Sequence, residues 1–414
     1  MVMKKKLLIY AHYYYPDVAA TGQILQELAE GLKERFDITV VCSVPSYTGE
    51  IPPHYRQKKV YLEEHGGVKL VRVPVPPFSK SDKFSRIRNL LSYYFGAKKA
   101  TRTLGRQDYV FTISQPPVLG GLLGVYAKKK CKAKLIYNIQ DFNPEQIEAV
   151  GYFTCKPFLW LMKKIDTASC QKSDTVVVVG RDMVQTLKNR FQGRPMPKYC
   201  TINNWTDERA IFPLSAQDKG LQAFKARYGL EGKFIIMYSG NLGLYYDLPN
   251  LLKVVASFKD RKDVAFVFVG QGGVESELKA YKAAQGLENV LFLPYQTKES
   301  LCYSLNAADV HWVVNAKGIK GVSVPSKLYG VMAAGKPVLG VLEEGSEARE
   351  IIQEAGCGLI ADPADYKEIE RLLHQFINKQ ADIAGMGASG RAYLEAHLTK
   401  TASVEKYIQA IEEC

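Results

Sequence analysis

Short apolar runs alternate with longer amphipathic stretches along almost the whole chain. Apolar runs of this length, each followed by Gly, Pro or polar residues, are typical of buried parallel strands, and the stretches between them have helical spacing. The pattern therefore predicts an α/β fold. The predicted strands cover residues 6–12, 38–43, 68–74, 109–114, 134–139, 175–180, 234–240, 265–270, 290–294, 310–314, 337–342 and 358–360.

The alternation breaks once, at residues 203–213, and then begins again. We place a domain boundary there, after residue 205. A length of 414 residues favours two or three domains, each able to bury its own core. Two α/β domains in one chain leave a cleft between them, and such clefts are preferred ligand sites.

Segment 321–338 is the clearest candidate site. It lies between two apolar runs, so its helix begins past the carboxyl end of a strand, where open α/β sheets bind ligands. Ser323 can cap this helix and Gly335 can end it, which gives a helix of about ten residues. The free N–H groups of its first turn, together with Ser326 and Lys327, suit a phosphate. The alternative is an ordinary crossover helix whose lysine is solvated.

Other predicted strand ends of the second half carry groups suited to the rest of a nucleotide sugar. Glycine at two strand ends leaves the backbone free to approach an anion. An aromatic ring at a third strand end can meet a base, and two carboxylates at a fourth can hold sugar hydroxyls. These candidates are Ser239, Gly240, Asn241, Gly270, Tyr295, Glu347 and Glu350.

Two strand ends of the first half carry further candidates. Thr21 and Gly22 stand in a loop between the first strand and a helix predicted from residue 23, an arrangement that can form a phosphate turn. Asp141 and Glu145 follow strand 134–139, where a substrate hydroxyl could meet a base. Asp141 could equally cap the helix that follows.

Charge is unevenly distributed along the chain. Residues 1–205 hold 32 Lys and Arg against 16 Asp and Glu, whereas residues 206–414 hold 23 against 26. The net charge of +13 therefore lies wholly in the first half, which points to nucleic acid or acidic lipid as its partner.

A basic amphipathic helix is predicted within residues 79–106, where Lys80 and seven further Lys and Arg residues are interleaved with apolar ones. It either contacts a membrane surface or packs its apolar face on the sheet and leaves its charges in water. A second basic cluster at residues 128–134 favours the membrane. The apolar positions with helical spacing are Phe84, Ile87, Leu91, Tyr94 and Phe95.

Other classes are poorly supported. No apolar run reaches the roughly eighteen residues that a membrane span needs. The short apolar run near the N-terminus predicts a first strand and not a secretion signal. The eight cysteines form no Cys-x-x-Cys pair, and no histidine cluster accompanies them. We therefore expect reduced thiols in a cytoplasm and no structural zinc.

Several motifs together resemble glycosyltransferase family 4. Within it the chain is similar to the branch that builds bacterial surface polysaccharide, including colanic-acid and O-antigen transferases of fucose-type or N-acetylated sugars. The resemblance covers essentially the whole chain. It rests on Thr21-Gly22, on segments 139–145, 202–207, 238–241 and 269–272, and on Pro325-Ser-Lys-Leu-Tyr with Met332-Ala-Ala-Gly-Lys-Pro-Val.

This resemblance implies a GT-B fold of two Rossmann-like domains, 1–205 for the acceptor and 206–400 for the nucleotide sugar, with a helix at 401–414 crossing back onto the first. It implies a retaining hexosyltransferase that uses a UDP- or GDP-sugar, UDP favoured. The implied acceptor is a polyprenyl-diphosphate-linked saccharide, met at the cytoplasmic face of the plasma membrane through contact with anionic lipid. We expect no metal, no cofactor and no nucleic acid.

The chain departs from the family at several functional positions. The usual pair of glutamates reads Val322 and Gly330, and Gln140 stands in place of a histidine. Asn241 stands where relatives have an arginine on the diphosphate, so Lys327 is expected to supply that charge. We therefore expect Asp141 and Lys327 to be catalytic. The resemblance adds Ser326 and Leu328 to the substrate contacts, beside Thr21, Gly22, Glu145, Ser239, Gly240, Asn241, Gly270, Tyr295, Glu347 and Glu350.

Three alternatives remain open at this level. A nucleotide-sugar 2-epimerase shares the fold and needs no acceptor. A non-catalytic nucleotide-sugar-binding protein fits the missing glutamates. A nucleic-acid-binding protein would use the basic half, although the chain contains no recognised RNA or DNA motif.

Overall fold

The computed structural model describes residues 3–17, 19–79, 82–151 and 153–414, so Lys80 of the predicted basic helix lies outside the described residues. Eight strands of the first half form one sheet: β1 (Lys5–Ala11), β2 (Phe36–Ser43), β3 (Tyr61–His65), β4 (Val68–Val73), β5 (Tyr109–Ile113), β6 (Lys134–Ile139), β7 (Thr175–Val178) and β8 (Tyr199–Thr201). Their order is β3-β4-β2-β1-β5-β6-β7-β8. All pairings are parallel except that of β3 with β4.

Helices cover both faces of this sheet. Successive side chains of a strand point to opposite faces, so a continuous apolar strand needs a helix layer on each face. Leu7 and Ile9 of β1 pack on one face, and Leu8 and Tyr10 pack on the other. The helices of this half are α1 (Ala20–Leu32), α2 (Lys83–Thr101), α3 (Leu119–Cys131), α4 (Glu145–Ala149), α5 (Lys156–Lys172) and α6 (Arg181–Arg190).

The second half forms a six-stranded sheet in which every pairing is parallel. Its strands are β9 (Phe234–Ser239), β10 (Val264–Val269), β11 (Val290–Leu293), β12 (Val310–Val314), β13 (Val338–Val341) and β14 (Gly358–Ala361). They are ordered β11-β10-β9-β12-β13-β14. Its helices are α7 (Lys219–Arg227), α8 (Leu248–Val255), α9 (Glu275–Gln285), α10 (Lys298–Ala307), α11 (Lys327–Ala333), α12 (Glu347–Ala355), α13 (Tyr366–Ile377) and α14 (Ile383–His397).

The last helix, α15 (Lys400–Glu412), leaves the second sheet and packs on the first. Val404, Tyr407 and Ile411 join the core formed by α1 and β1. The Tyr407 hydroxyl also accepts a 3.0 Å hydrogen bond from the Asn138 side chain in β6. Two Rossmann-like α/β domains with a returning helix confirm the predicted fold. The boundaries after residues 205 and 400 stay predictions.

All twelve predicted strands are present, with ends that shift by only one or two residues. The pattern missed β3 and β8. Strand β3 lies at the sheet edge and alternates buried and partly exposed positions, and β8 has only three residues. Neither strand produces the continuous apolar run that marked the others.

Two helix predictions were wrong in detail. Helix α11 has seven residues and begins at Lys327, and Ser323 pairs with the first domain instead of capping it. In α2 the predicted apolar face points to solvent, with Phe84 84% exposed, while Asn89, Tyr93 and Ala97 face the protein. Helix α2 is a crossover helix that packs on the sheet, but it does so through Tyr93 and Ala97 and not through the predicted apolar positions. None of the described helices is long and apolar enough to cross a membrane.

Candidate active site

Lys327 lies in an aromatic cage in the second domain. It occupies the first turn of α11, and its ammonium donates a 2.9 Å hydrogen bond to the Tyr238 hydroxyl. The Nζ atom lies 4.2 Å from the ring centroid of Tyr238 and 3.8 Å from that of Tyr246. Gly240 borders this cage with a φ of +149°, and a Cβ atom there would lie 3.3 Å from Lys327 Cε. The interpretation of Lys327 as a solvated lysine is therefore wrong.

Lys327 is half-buried, and its ammonium has no counter-charge among the described residues. Burial lowers the pKa of Lys327 to about 7. Among the described residues, no carboxylate forms an ion pair with it. The two tyrosine rings offer their negative faces but no full charge. A desolvated cation without a counter-charge is stabilised by an anionic ligand, because the ligand supplies the missing negative charge.

Asp141 faces the cage from the first domain. Its carboxylate accepts hydrogen bonds from Gln115 Nε2 at 3.3 Å and from Gln146 Nε2 at 3.2 Å. Its backbone forms an isolated bridge with Ser323, in the segment before α11. Burial raises the pKa of Asp141 despite these hydrogen bonds. Helix α4 begins at Glu145 after Pro144, so Asp141 does not cap it.

Tyr246 is affected by Asp141 and contacts Lys327, the two catalytic candidates. Burial raises the pKa of Tyr246, and the charge of Asp141 raises it further. Tyr246 therefore lies between the carboxylate of the first domain and the ammonium of the second. The backbone N–H of Phe142 also donates to the Val322 carbonyl at 2.9 Å. The segment that leads into α11 and Lys327 therefore packs against the segment that carries Asp141.

Thr21 and Gly22 belong to the first turn of α1 and not to the loop before it. The Thr21 hydroxyl donates to Gln115 Oε1 at 3.1 Å, and Gln115 in turn donates to Asp141. A Cβ atom on Gly22 would lie 2.8 Å from the Tyr13 carbonyl oxygen. Glycine thus lets α1 approach the loop after β1, and this places Thr21 on the same side of the cleft as Asp141.

The glycine loops of the second domain pack tightly against each other. Gly270 has a φ of +137°, and a Cβ atom there would lie 1.9 Å from the Gly240 carbonyl oxygen. Ser239 ends β9 and is half-buried, whereas Asn241 is exposed and accepts a 2.7 Å hydrogen bond from Tyr238 through its backbone carbonyl. These loops therefore form one continuous wall beside Lys327.

Tyr295 lies at the end of this wall. Its side chain is 50% exposed, and its hydroxyl donates to the Gln271 carbonyl at 3.3 Å. Burial raises the pKa of Tyr295, and Tyr47 of the first domain raises it further, so the two tyrosines lie near each other across the cleft. The cleft therefore presents an aromatic group from each domain.

Three predicted substrate contacts have other partners in the structure. Glu145 accepts two hydrogen bonds from Arg190, at 2.9 and 2.5 Å. Glu347 is 2% exposed and accepts from the backbone N–H and Nε of Arg181, at 2.7 and 2.9 Å. Leu328 is fully buried in the core around α11. These side chains have partners within the protein, and their roles as substrate contacts stay predictions.

The two remaining candidates, Ser326 and Glu350, are placed by the structure at the starts of two helices of the second domain. Ser326 is exposed at the N-cap position of α11, and its side chain makes no capping hydrogen bond. Glu350 is half-buried in the first turn of α12. Within the described residues, no group of three or more His, Cys, Asp or Glu side chains has the arrangement of a metal site.

Sequence reasoning missed four side chains of the cleft. Three come from loops after strands and Tyr238 comes from the end of β9, and their only signal was their position beside glycines or beside the end of an apolar run. These residues are Tyr47, Gln115, Tyr238 and Tyr246.

The two halves of the chain match two family models. Residues 20–205 match the model described as "Glycosyl transferase 4-like domain", and residues 222–393 match "Glycosyl transferases group 1". Together with two Rossmann-like domains that meet at a polar cleft, these matches define the class of protein, a glycosyltransferase of the GT-B fold. The chain belongs to glycosyltransferase family 4.

Two relatives align over nearly their whole length. The chain is 25% identical to the probable glycosyltransferase WbjE of Pseudomonas aeruginosa, over 98% of this chain and 97% of that protein. It is 24% identical to the putative colanic acid biosynthesis glycosyl transferase WcaI of Escherichia coli K12, over 98% and 99% of the two chains.

Solved structures share the fold at lower identity. Sucrose-phosphate synthase from Thermosynechococcus elongatus superposes with a TM-score of 0.79 at 14% identity, over 99% of each chain. Anabaena HepE in complex with UDP and glucose superposes with a TM-score of 0.72 at 14% identity, over 99% of this chain and 100% of that one. At this identity these two structures bear on the fold alone.

Proposed function

We propose that this protein is a retaining glycosyltransferase of bacterial surface polysaccharide biosynthesis. It moves a hexose-type sugar from a nucleotide-diphosphate sugar, with a UDP-sugar favoured, to a lipid-linked saccharide. The relative WcaI is named for colanic acid biosynthesis, and HepE, which shares the fold, was solved with UDP. Both names support this choice of donor and pathway.

The observation that carries the proposal is the half-buried, desolvated ammonium of Lys327, which has no carboxylate partner among the described residues. A diphosphate placed between the glycine wall and Lys327 would supply the missing negative charge. The ammonium would then stabilise the charge that develops on the diphosphate as it leaves, which is the usual source of catalysis in such transfers. This device makes a metal ion unnecessary for departure of the leaving group.

The reaction follows from this placement. The bond between the sugar C1 and the diphosphate oxygen breaks, and its electron pair goes to the diphosphate beside Lys327. The acceptor oxygen bonds to C1 on the same face, so the configuration is retained. Asp141 accepts the proton of the acceptor hydroxyl, a role that its raised pKa favours because a stronger base takes a proton more readily.

The first test compares the thermal stability of variants with and without UDP. We expect UDP to raise the melting temperature of the native protein by several degrees, because a ligand at a hundred times its Kd stabilises the folded state by about 2.7 kcal/mol. Lys327→Met should lose this shift. Lys336→Met is the matched control, because Lys336 is also half-buried and burial also lowers its pKa. Lys336 precedes β13 and so lies at the amino ends of the strands, whereas Lys327 lies beyond their carboxyl ends.

An unchanged UDP shift in Lys327→Met would remove Lys327 from the donor site. A shift with GDP and none with UDP would replace the donor class. Transfer is then assayed with the labelled donor and a polyprenyl-diphosphate saccharide. Release of free nucleotide and an epimerised sugar without acceptor would instead identify a 2-epimerase. Donor binding without any turnover would identify a binding protein.

A further inference from the structure

Exposed apolar side chains are concentrated on two helices of the first domain. Among the described residues, fifteen large hydrophobic side chains are exposed, and eight of them lie on α2, in the first turns of α5 or just before α5. Such a concentration is unusual on a protein surface and marks an interaction site. The eight residues are Phe84 (84% exposed), Ile87 (52%), Leu91 (41%), Phe95 (62%), Phe153 (43%), Phe158 (51%), Trp160 (57%) and Leu161 (48%).

Helix α3 joins these two groups into one surface. On one side of α3, the Arg102 side chain after α2 donates to the Tyr126 hydroxyl at 3.2 Å. On its other side, Gly121 lies so close to Ser169 of α5 that a Cβ atom on the glycine would be 2.8 Å from the serine Cβ. Leu122 and Val125 of α3 are half-buried between the two groups. We call the exposed sides of these helices the α2–α3–α5 surface.

The α2–α3–α5 surface is basic. The three helices hold five, three and four Lys or Arg residues, and their single acidic residue is Asp166. Asp166 is 2% exposed, and its carboxylate pairs with Arg190 inside the protein. Lys128 and Lys163 pair with Asp174 and Glu145 of neighbouring elements, so the exposed apolar residues are surrounded by an excess of positive charge and not by positive charge alone.

We propose that the α2–α3–α5 surface docks on an anionic lipid bilayer. Aromatic and aliphatic side chains enter the interface between headgroups and acyl chains, and the lysines and arginines meet the acidic headgroups. A second copy of this chain is a poorer partner, because two such basic surfaces repel each other. The proposal rests on the proposed function only in so far as a lipid-linked acceptor gives this docking a purpose.

The docking surface also leads to the acceptor side of the cleft. Asn89 of α2 forms a 3.1 Å hydrogen bond through Oδ1 with His12 Nε2, at the end of β1. Burial raises the pKa of Tyr13, and Arg86 of α2 lies close enough to oppose this rise. The first half of α2 therefore abuts the loop that precedes Thr21. A bilayer under α2 and α5 would present a lipid-anchored acceptor directly to this edge of the cleft.

The test is co-sedimentation with phosphatidylcholine vesicles, with and without phosphatidylglycerol. We expect the native protein to bind only the vesicles that contain phosphatidylglycerol, and to be released by high salt. Two pairs of changes, Phe84→Ser with Phe95→Ser and Phe158→Ser with Trp160→Ser, should each weaken binding about tenfold or more, since each large apolar side chain adds to the buried area. Lys129→Glu with Lys130→Glu should weaken it by at least about tenfold, since each charge near the surface contributes.

Matched controls exist outside the surface. Leu62→Ser removes an apolar side chain that is 79% exposed on β3, and Lys259→Glu with Lys262→Glu reverses two exposed lysines of the second domain. Both controls should bind vesicles like the native protein. No binding to anionic vesicles, or equal loss in variants and controls, would overturn the proposal. A dimer in solution that only the surface variants dissociate would overturn it in favour of self-association.

The UDP thermal shift, measured on the same proteins, keeps the two proposals apart. Vesicle binding without a UDP shift would leave the docking surface standing and reject the donor site. A UDP shift without vesicle binding would leave the donor site standing and reject the docking surface.

Discussion

Two desolvated cations of this protein, Arg190 and Lys327, have opposite surroundings. The Arg190 side chain in the first domain is fully buried and forms ion pairs with Glu145 and Asp166, both at 2.5 Å. It also donates to the Asn143 carbonyl at 2.8 Å. Lys327 in the second domain is enclosed by two tyrosines, and no described carboxylate pairs with it. One cation is compensated by the protein and the other is not.

This difference separates a structural cation from a ligand-binding one. Burial alone would raise the pKa of Glu145, yet the Arg190 charge holds it below its ordinary value. For Lys327 nothing opposes burial, and its pKa falls to about 7. A protein that leaves a charge in this state loses stability unless a ligand compensates it. The difference therefore points to Lys327, and not to the better-connected Arg190, as the donor contact.

The largest effect should come from breaking the compensated cluster. Arg190→Met leaves Asp166 buried without its cation and leaves Glu145 with Lys163 alone, and we expect the free energy of unfolding to fall by about 3–5 kcal/mol. Urea unfolding followed by tryptophan fluorescence measures this change. Arg261→Met is the control, because its pair with Asp263 is exposed and should contribute at most about 1 kcal/mol. Equal losses in the two variants would mean that the Arg190 cluster is not a structural unit.

The uncompensated cation should instead respond to pH through its ligand. Below about pH 7 the free protein holds Lys327 as an ammonium, and above it the side chain loses its proton. Bound diphosphate favours the ammonium, so binding at higher pH must take up a proton. We expect the UDP affinity to fall as pH rises above 7, by up to about tenfold per pH unit. Isothermal titration calorimetry from pH 7 to 9 measures this slope.

Lys327→Arg sharpens this test, because arginine keeps its charge throughout that range. Its UDP affinity, whatever its absolute value, should change little between pH 7 and 9. A flat profile for the native protein, or the same slope in both proteins, would contradict the role given to Lys327.

The same contrast explains what could be predicted from the sequence. The strands were predictable because continuous apolar runs require burial on both faces of a sheet. Lys327 was predictable as a helix-start residue after a strand. Its aromatic cage was not, because Tyr238 and Tyr246 come from a distant strand and the loop after it.

Charged partners from other elements could not be predicted from the sequence. Glu145 and Glu347 both follow strands, in the manner of substrate-binding carboxylates. Arg190 and Arg181 occupy them, and both arginines come from α6. A single sequence does not show which cation reaches which carboxylate. The exposed face of α2 was misjudged in the same way, because helical spacing identifies an apolar stripe but not what the stripe faces.

The smallest effect concerns the hydroxyl that holds Lys327 in place. Tyr238→Phe keeps the ring but removes the acceptor of the 2.9 Å hydrogen bond from Lys327 and the donor to the Asn241 carbonyl. We expect UDP binding to weaken about two- to tenfold, in line with one hydrogen bond of about 0.5–1.5 kcal/mol. Tyr93→Phe is the control, because it removes an equally buried hydroxyl that donates to Val41 at 3.1 Å within the core of the first domain, whereas Lys327 lies in the second. An unchanged dissociation constant in Tyr238→Phe would mean that the two rings alone position the ammonium.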